Sequence, residues 1–429
     1  MHRFVKMALV VLLVAFLVIP HAAVAQGTIR FGPIAAQGDF PSEVLFSVTV
    51  ESDAAIVDLE LSYWVTGTPY TQSRWPDFVR AERVETTFRL DTQIEFYYPG
   101  TEFHYYWTAQ DVAGRVTESP EQVWVYEDNR FTWREVRSDR IAVFWYEGEQ
   151  SFGQAVLDTA SRTLDRLEKD AGVRASQLIR IYLYTHTSDF RGALGPNASE
   201  WIGGQAIPPL GIIVANIAPD DEREIGRMVP HEVSHVVLYQ ATHNPYASNP
   251  NWLEEGIAVH NQEVADSDYP AMVEAAARDG ELIPLRALSS SFPSDTDLAL
   301  LSYAESSSVI EFILQRYGKE GLARLVDVFS EGETSEAAVQ QALGVSLEEL
   351  DSQWRATLPA AERTPAPGVT ARPRSTPTTG GWETVVRILA SAMACTFLAA
   401  IGVVVAAVVI IVRRQRRQDQ EPPAPAAQQ

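Results

Sequence analysis

The sequence predicts an all-β sandwich, then an α+β domain, then a single membrane-spanning helix. Three observations predict it. From Thr28 to about Tyr126, short β-branched and aromatic runs alternate in two-residue steps between turn residues. From Phe131 strand-like runs come first, and after Asp220 almost everything has helical periodicity. Near the end, Ile388 to Val412 is apolar and free of charge, and a bilayer needs only about 20 such helical residues.

The chain of 429 residues is long enough for more than one domain, and a 46% apolar, 10% aromatic composition belongs to folded domains. Acidic residues outnumber basic ones 56 to 34, a net charge of −22. Such a surface repels a phosphate backbone, so no nucleic-acid partner is expected.

At the start, His2, Arg3 and Lys6 precede an apolar run from Met7 to Ile19, Pro20 and a small-residue Ala23-Val24-Ala25 site. Residues 1–25 therefore read as a cleaved secretory signal. At the other end Arg413, Arg414, Arg416 and Arg417 follow the apolar run, and clustered arginines stay cytoplasmic. The expectation is a plasma-membrane protein whose membrane contact is its C-terminal helix, 386–412. Its bulk would be extracytoplasmic and residues 413–429 a short cytoplasmic tail. The sole cysteine, Cys395, falls inside the spanning run, so the exported part must be held by core packing rather than disulfides. Asn197-Ala198-Ser199 reads as an incidental glycosylation sequon.

Residues 26–128 form the expected sandwich. "VLFSVTVES", "AIVDLELSYWV", "VETTFRL" and "EFHYYWTAQ" are its strands, with Phe103, Tyr105 and Trp107 on one face. The stretch "YPGTEFHYYWTAQDVAGR" resembles the later strands of immunoglobulin-like or fibronectin type III domains. No catalytic grouping appears there. A spacer is the expected role, with substrate presentation as the other open reading.

Residues 129–358 form the α+β domain. "IAVFWYEG", "IRIYLYTH" and "LGIIVANI" read as strands, and Val156, Ala160, Leu164 and Leu167 mark a helix between the first two. Helices are expected from near Asp221, then over 251–265, 270–279, 303–317, 319–330, 334–343 and 346–357. The Pro- and Thr-rich segment 359–385 reads as a stalk.

The chemistry concentrates in "MVPHEVSHVVL", residues 228–238. His231 and His235 lie one helical turn apart, so both imidazoles project from one face and can share one metal ion. Glu232 sits beside that face, within reach of a water on the metal. Neutral imidazole suits zinc, which lowers the pKa of bound water towards neutrality. A metzincin would carry a glycine and a histidine where this chain has Leu238 and Ala241, so that pattern fails; His243 comes too late and reads as a loop residue. Twenty residues on, "NWLEEGIAVH" begins a second helix at Asn251. Trp252, Leu253, Gly256, Ile257 and Val259 define its buried face, with Glu255 at the border and Glu254 pointing away. Glu255 is thus the better third ligand, whereas Glu254 matches a capping box with Asn251. Gly256 lets another helix approach closely.

His-Glu-x-x-His followed by Trp-Leu-x-Glu-Gly resembles the gluzincin metallopeptidases, particularly their compact MA-like members. The resemblance covers about residues 131–358 and implies a zincin-like fold and one Zn2+ per chain. It implies ligands His231, His235 and Glu255, with Glu232 as general base. "SYAESSSVIEFILQRYGKEGLARLV" is similar to the helix that follows the zinc ligands in several gluzincins, where an initial tyrosine stabilises the oxyanion; here that is Tyr303. The corresponding edge strand of gluzincins pairs with the substrate backbone, which points to Leu210, Gly211, Ile212, Ile213, Val214, Ala215 and Asn216. No Gly-x-Met-Glu-Asn precedes that strand, which favours an endopeptidase over an aminopeptidase. The expected function is therefore a membrane-anchored, extracytoplasmic zinc peptidase acting on a peptide or protein substrate. The alternative is a catalytically inactive cell-surface binding or adhesion protein on the same scaffold.

Two features depart from the pattern. Pro230 falls inside the first helix, where it removes a hydrogen bond and bends the axis, with Gly226 four residues earlier easing the clash. Some relatives place an acid four residues after the third ligand, where this chain has Val259. Glu263, Glu224 or a backbone carbonyl is then left to orient the imidazoles.

Overall fold

Eight strands build the N-terminal region: β1 (Arg30–Asp39), β2 (Glu43–Glu51), β3 (Ile56–Val65), β4 (Gln72–Arg74), β5 (Arg83–Asp91), β6 (Thr101–Asp111), β7 (Val116–Glu118) and β8 (Gln122–Tyr126). They form one antiparallel sheet in the order β1-β2-β5 and a second in the order β4-β3-β6-β7, with β8 also on β6. Alternation in the sequence becomes alternation in burial. Phe103, Tyr105 and Trp107 of β6 are buried, and the ring of Phe46 from the opposite sheet lies 5.9 and 4.9 Å from the first two. The structure is a computed structural model that describes residues 28–195, 203–264, 266 and 268–359. The leader 1–25, the sequon at Asn197, the stalk from 360, the spanning segment and the tail lie outside the described residues. Among those described, no helix is long and apolar enough to cross a membrane.

The second region is a five-stranded sheet under a layer of helices. Its strands are β9 (Arg134–Arg137), β10 (Ile141–Trp145), β11 (Ile179–Tyr184), β12 (Gly204–Ile207) and β13 (Ile212–Asn216), in the spatial order β12-β13-β11-β10-β9. The three inner strands are parallel and the two outer ones antiparallel to their neighbours. The helices are α1 (Gln150–Ala171), α2 (Thr187–Arg191), α3 (Glu222–Thr242), α4 (Asn251–His260), α5 (Tyr269–Asp279), α6 (Thr296–Ser330), α7 (Ser335–Leu343) and α8 (Leu347–Arg355). Gly318 takes a non-helical conformation inside α6, so the break expected between 317 and 319 is present. The helix nevertheless begins at Thr296, two turns earlier than the sequence predicts, and α4 ends at His260 rather than 265.

The inner strands read as continuous apolar runs because both faces of this sheet are covered. Ile179, Ile181, Leu183, Ile213 and Ala215 face the helices, in one core with Val156, Leu164 and Val233. Tyr182, Tyr184, Ile212 and Val214 turn the other way and share a core with the sandwich. The sandwich is therefore not a detached spacer. Tyr182 and Tyr184 donate to Glu127 and Asp128 at 3.0 and 2.7 Å, and Arg180 reaches Glu102 at 2.9 Å. Fully burying each such apolar side chain contributes about 1.5–3 kcal/mol, enough over four of them to fix one layer on the other.

Helix α4 is held between α3 and α6. A Cβ on Gly256 would fall 2.6 Å from the Ser306 carbonyl oxygen and 2.7 Å from Ile310 of α6. Gly256→Ala should thus destabilise the protein by about 1–3 kcal/mol from overpacking, despite a gain of about 1 kcal/mol in helix propensity. Urea unfolding of the variant checks the sign; an increase in stability would show that the two helices part easily.

Candidate active site

Helix α3 carries the first two functional side chains. Asp221 caps it, accepting from the Glu224 N–H at 2.9 Å. Val229, Val233, Val236 and Val237 anchor its inner face. Pro230 does not end the helix. Its missing N–H frees the carbonyl of Gly226, and that oxygen instead accepts from the N–H groups of Glu263 and Val264 at 2.8 and 3.2 Å. A Cβ at Gly226 would lie 2.9 Å from Val264, so the glycine makes room for this docking. The hydrogen bond that Pro230 removes from α3 therefore leaves an acceptor that pins the chain leaving α4 onto α3. Ser234 adds a second stitch: its hydroxyl donates to the Pro230 carbonyl at 2.7 Å and accepts from Asn261 at 3.2 Å.

This pairing of helices brings three donors together. His231 Nε2 and His235 Nε2 are 3.2 Å apart, and Glu255 Oε2 lies 3.5 Å from each. Among the described residues this is the one group of three such side chains with ligand atoms in mutual reach. Each keeps between 15% and 19% of its side-chain surface open, enough to admit a substrate atom. Tetrahedral zinc, with bonds of about 2.0–2.1 Å, sets its ligands about 3.3 Å apart, which these separations match. Glu255 Oε2 is buried without a hydrogen-bond partner, an atom that a cation would satisfy. Electrostatics agree. Burial works against a charge on Glu255, but His235 and His231 outweigh it and hold its carboxyl well below the usual range. Burial likewise opposes a charge on His235, yet Glu255 and Glu254 hold its pKa well above the ordinary value. The cluster favours a positive charge among its three side chains, and a zinc ion with these ligands fits it.

The partners behind the imidazoles differ from those expected. Glu263 is bound to Arg162 at 2.8 and 2.9 Å and Glu224 to Arg227, so neither faces a histidine. Instead Gln262 places its amide 3.2 Å from His231 Nδ1, while its other terminal atom is buried without a partner. An imidazole that gives Nε2 to a metal carries its proton on Nδ1. A Gln262 amide turned to present its oxygen would accept a hydrogen bond from that Nδ1–H. Behind His235 stands Glu254, its Oε2 3.8 Å from Nδ1 and its Oε1 held by Asn249 at 2.9 Å. Glu254 does not cap α4; Pro250 occupies the cap position and no side chain bonds there. Gln262→Ala is expected to weaken zinc about 10–100-fold in competition with a chelator, with the fold unchanged.

Glu232 lies beside the cluster, its Oε2 accepting from the Ala206 N–H of β12 at 2.8 Å. That bond corrects the assignment of the edge strand. Leu210 and Gly211 lie in the turn before β13, and Ile212, Ile213, Val214, Ala215 and Asn216 are not at an edge: β13 is paired on one side with β11 and on the other with β12. The outer strand is β12, and the Ala206 N–H points away from β13. Sequence reasoning missed β12 because four residues, one of them glycine, carry no alternation; the Pro208-Pro209-Leu210-Gly211 turn joining it to β13 was the available signal.

Tyr303 stands on α6 with its ring centroid 6.4 Å from that of His231, braced edge-on by Phe292 at 5.2 Å. Burial, then Glu255, Tyr269 and Glu232, push its hydroxyl above the ordinary phenol value. It therefore stays protonated and remains a hydrogen-bond donor. The structure thus brings Glu232, Tyr303, His231, His235 and Glu255 into one site. His243 ends α3, stacked on Tyr239 and apart from the site.

Residues 159–360 match the family described as the Peptidase MA superfamily. This region is gluzincin-like. The match begins within α1 and runs past α8, so the gluzincin-like region contains all five site residues but not the sandwich. An M1 zinc metallopeptidase from Deinococcus radiodurans is 13% identical over 78% of this chain and 94% of its own, with a TM-score of 0.36. OgpA from Akkermansia muciniphila is 13% identical over 23% of this chain, with a TM-score of 0.18, and the match spans 27% of OgpA. A family 56 carbohydrate-binding module that binds β-1,3-glucan is 18% identical over 22% of this chain and 98% of its own, with a TM-score of 0.16. Likenesses this distant say nothing of what the present chain binds or cleaves. No curated protein matches it.

Proposed function

We propose that the chain is a membrane-anchored, extracytoplasmic zinc endopeptidase. The single observation that carries the peptidase reading is the convergence of His231, His235 and Glu255 on one point with Glu232 alongside. Anchoring and export are supported by the apolar run 388–412 with its following arginines and by the leader pattern 1–25. The strand order β1-β2-β5 facing β4-β3-β6-β7 supports a fibronectin-like reading of the sandwich.

When bound, zinc supplies an activated water and polarises the scissile carbonyl. The chain's own groups do the rest. Glu232, aimed by the Ala206 N–H, takes a proton from the attacking water and passes it to the leaving amine. Tyr303 donates a hydrogen bond to the oxygen on which negative charge develops. An extended substrate pairs with the outer edge of β12. Gln262 and Glu254 keep the two imidazoles turned towards the shared point.

The test is cleavage of an unfolded protein by the full chain, read by mass spectrometry. Internal cuts that stop with a chelator and return with zinc are expected. Removal of single residues from an end would rule out the endopeptidase reading, and cutting that survives complete zinc removal would rule out the metal.

A further inference from the structure

The first two turns of α6 present an apolar stripe to empty space. Ala299, Leu300 and Tyr303, with the polar Thr296 ahead of them, recur at i+3, i+4 and i+7 from it, the spacing that ordinarily turns a helix face into a core. Here that face lines a cavity of about 520 Å³ closed on the other side by Phe292 and Pro293. Leu300 keeps 38% of its surface exposed, so the described fold covers it only in part. Asp295 caps the helix, accepting from the Leu298 N–H at 3.1 Å, which sets these turns in place without packing. The cavity is continuous with the metal cluster, because Glu255 and Tyr303 are part of its wall. Its one carboxylate, Glu255, already faces His231 and His235, and the remaining polar wall (Asn251, Ser294 and Thr296) is uncharged.

We infer that this cavity is the specificity pocket, taking a bulky uncharged apolar side chain, aromatic or leucine-like, from the residue next to the scissile bond. The inference rests on the peptidase reading. An acidic side chain entering here would lose its hydration and meet no cationic side chain in the wall, whereas an apolar one covers Leu300, Phe292 and Pro293. A cavity of this size holds a phenylalanine side chain and leaves an alanine's place mostly empty.

The experiment maps cleavage of a peptide mixture, with every residue type at each position, by the zinc-loaded full chain. Binding of uncleavable reduced-amide analogues with Phe, Ala or Asp at the varied position is measured by calorimetry as a second readout. Cuts beside Phe, Leu, Tyr or Met should exceed those beside Asp or Glu at least 30-fold. Leu300→Arg should narrow that ratio at least tenfold by admitting acids, and Ala299→Phe should weaken the Phe analogue while sparing the Ala analogue. Both residues are at least partly exposed, and unchanged zinc content in each variant separates a changed pocket from a damaged site. Cleavage indifferent to the neighbouring side chain, or preferences that neither variant moves, would overturn the pocket and leave the peptidase standing. A zinc-loaded chain that cuts no peptide would overturn the peptidase reading, and the pocket with it.

Discussion

Replacing Glu255 with alanine is expected to strip zinc from the folded protein. Three ligand atoms meet at 3.2–3.5 Å from one another, and Glu255 supplies the only carboxylate among them. Without it two neutral imidazoles remain, a pair that does not complete a tetrahedral site. The loss should exceed the roughly 10–100-fold expected from an outer partner such as Gln262. Glu255→Gln should fare little better, because a neutral amide oxygen keeps the shape but not the charge that the cluster is built around. The fold itself should survive, since α4 is anchored by Trp252, Leu253 and Ile257 on its other side. Circular dichroism beside metal analysis separates the two effects. A variant that keeps full zinc would place the third ligand elsewhere.

Replacing Glu232 with glutamine should do the reverse, keeping the metal and losing turnover. Its carboxylate is not one of the three convergent ligands, and the Ala206 N–H that holds it can equally bond a glutamine oxygen. What disappears is the ability to take and return a proton. General acid–base catalysis is worth about 10²–10⁴-fold, so kcat should fall by that factor with KM little changed. Wild-type turnover in this variant would leave the assigned mechanism without its base.

The legible parts of the site are those that sit within single helices. His231 and His235 share a face because they are one turn apart, and Glu255 could be told from Glu254 by the buried stripe of its own helix. What stayed hidden depends on the chain turning back. Gln262 reaches His231 only because α4 stops at His260 and the next residues dock on the carbonyl that Pro230 leaves free. The helix was expected to run to 265; it stops where the Asn261 amide turns back to donate to the Ile257 carbonyl. In the sandwich, alternation placed Phe103, Tyr105 and Trp107 inside, since a strand's period fixes its faces. The docking of that sandwich on the second sheet had no such signature. Tyr182 and Tyr184 read as ordinary strand residues until Glu127 and Asp128 are seen opposite them. The early start of α6 did have a signal in the sequence: Asp295 is a capping residue, and residues 296, 299, 300 and 303 already keep helical spacing.

The most direct test is the metal content of the full chain, purified without added zinc and measured by elemental mass spectrometry. About one zinc per chain, lost in Glu255→Ala and retained in Glu232→Gln, is the predicted result. A folded protein that carries no zinc and takes none up on titration would contradict the account at its centre.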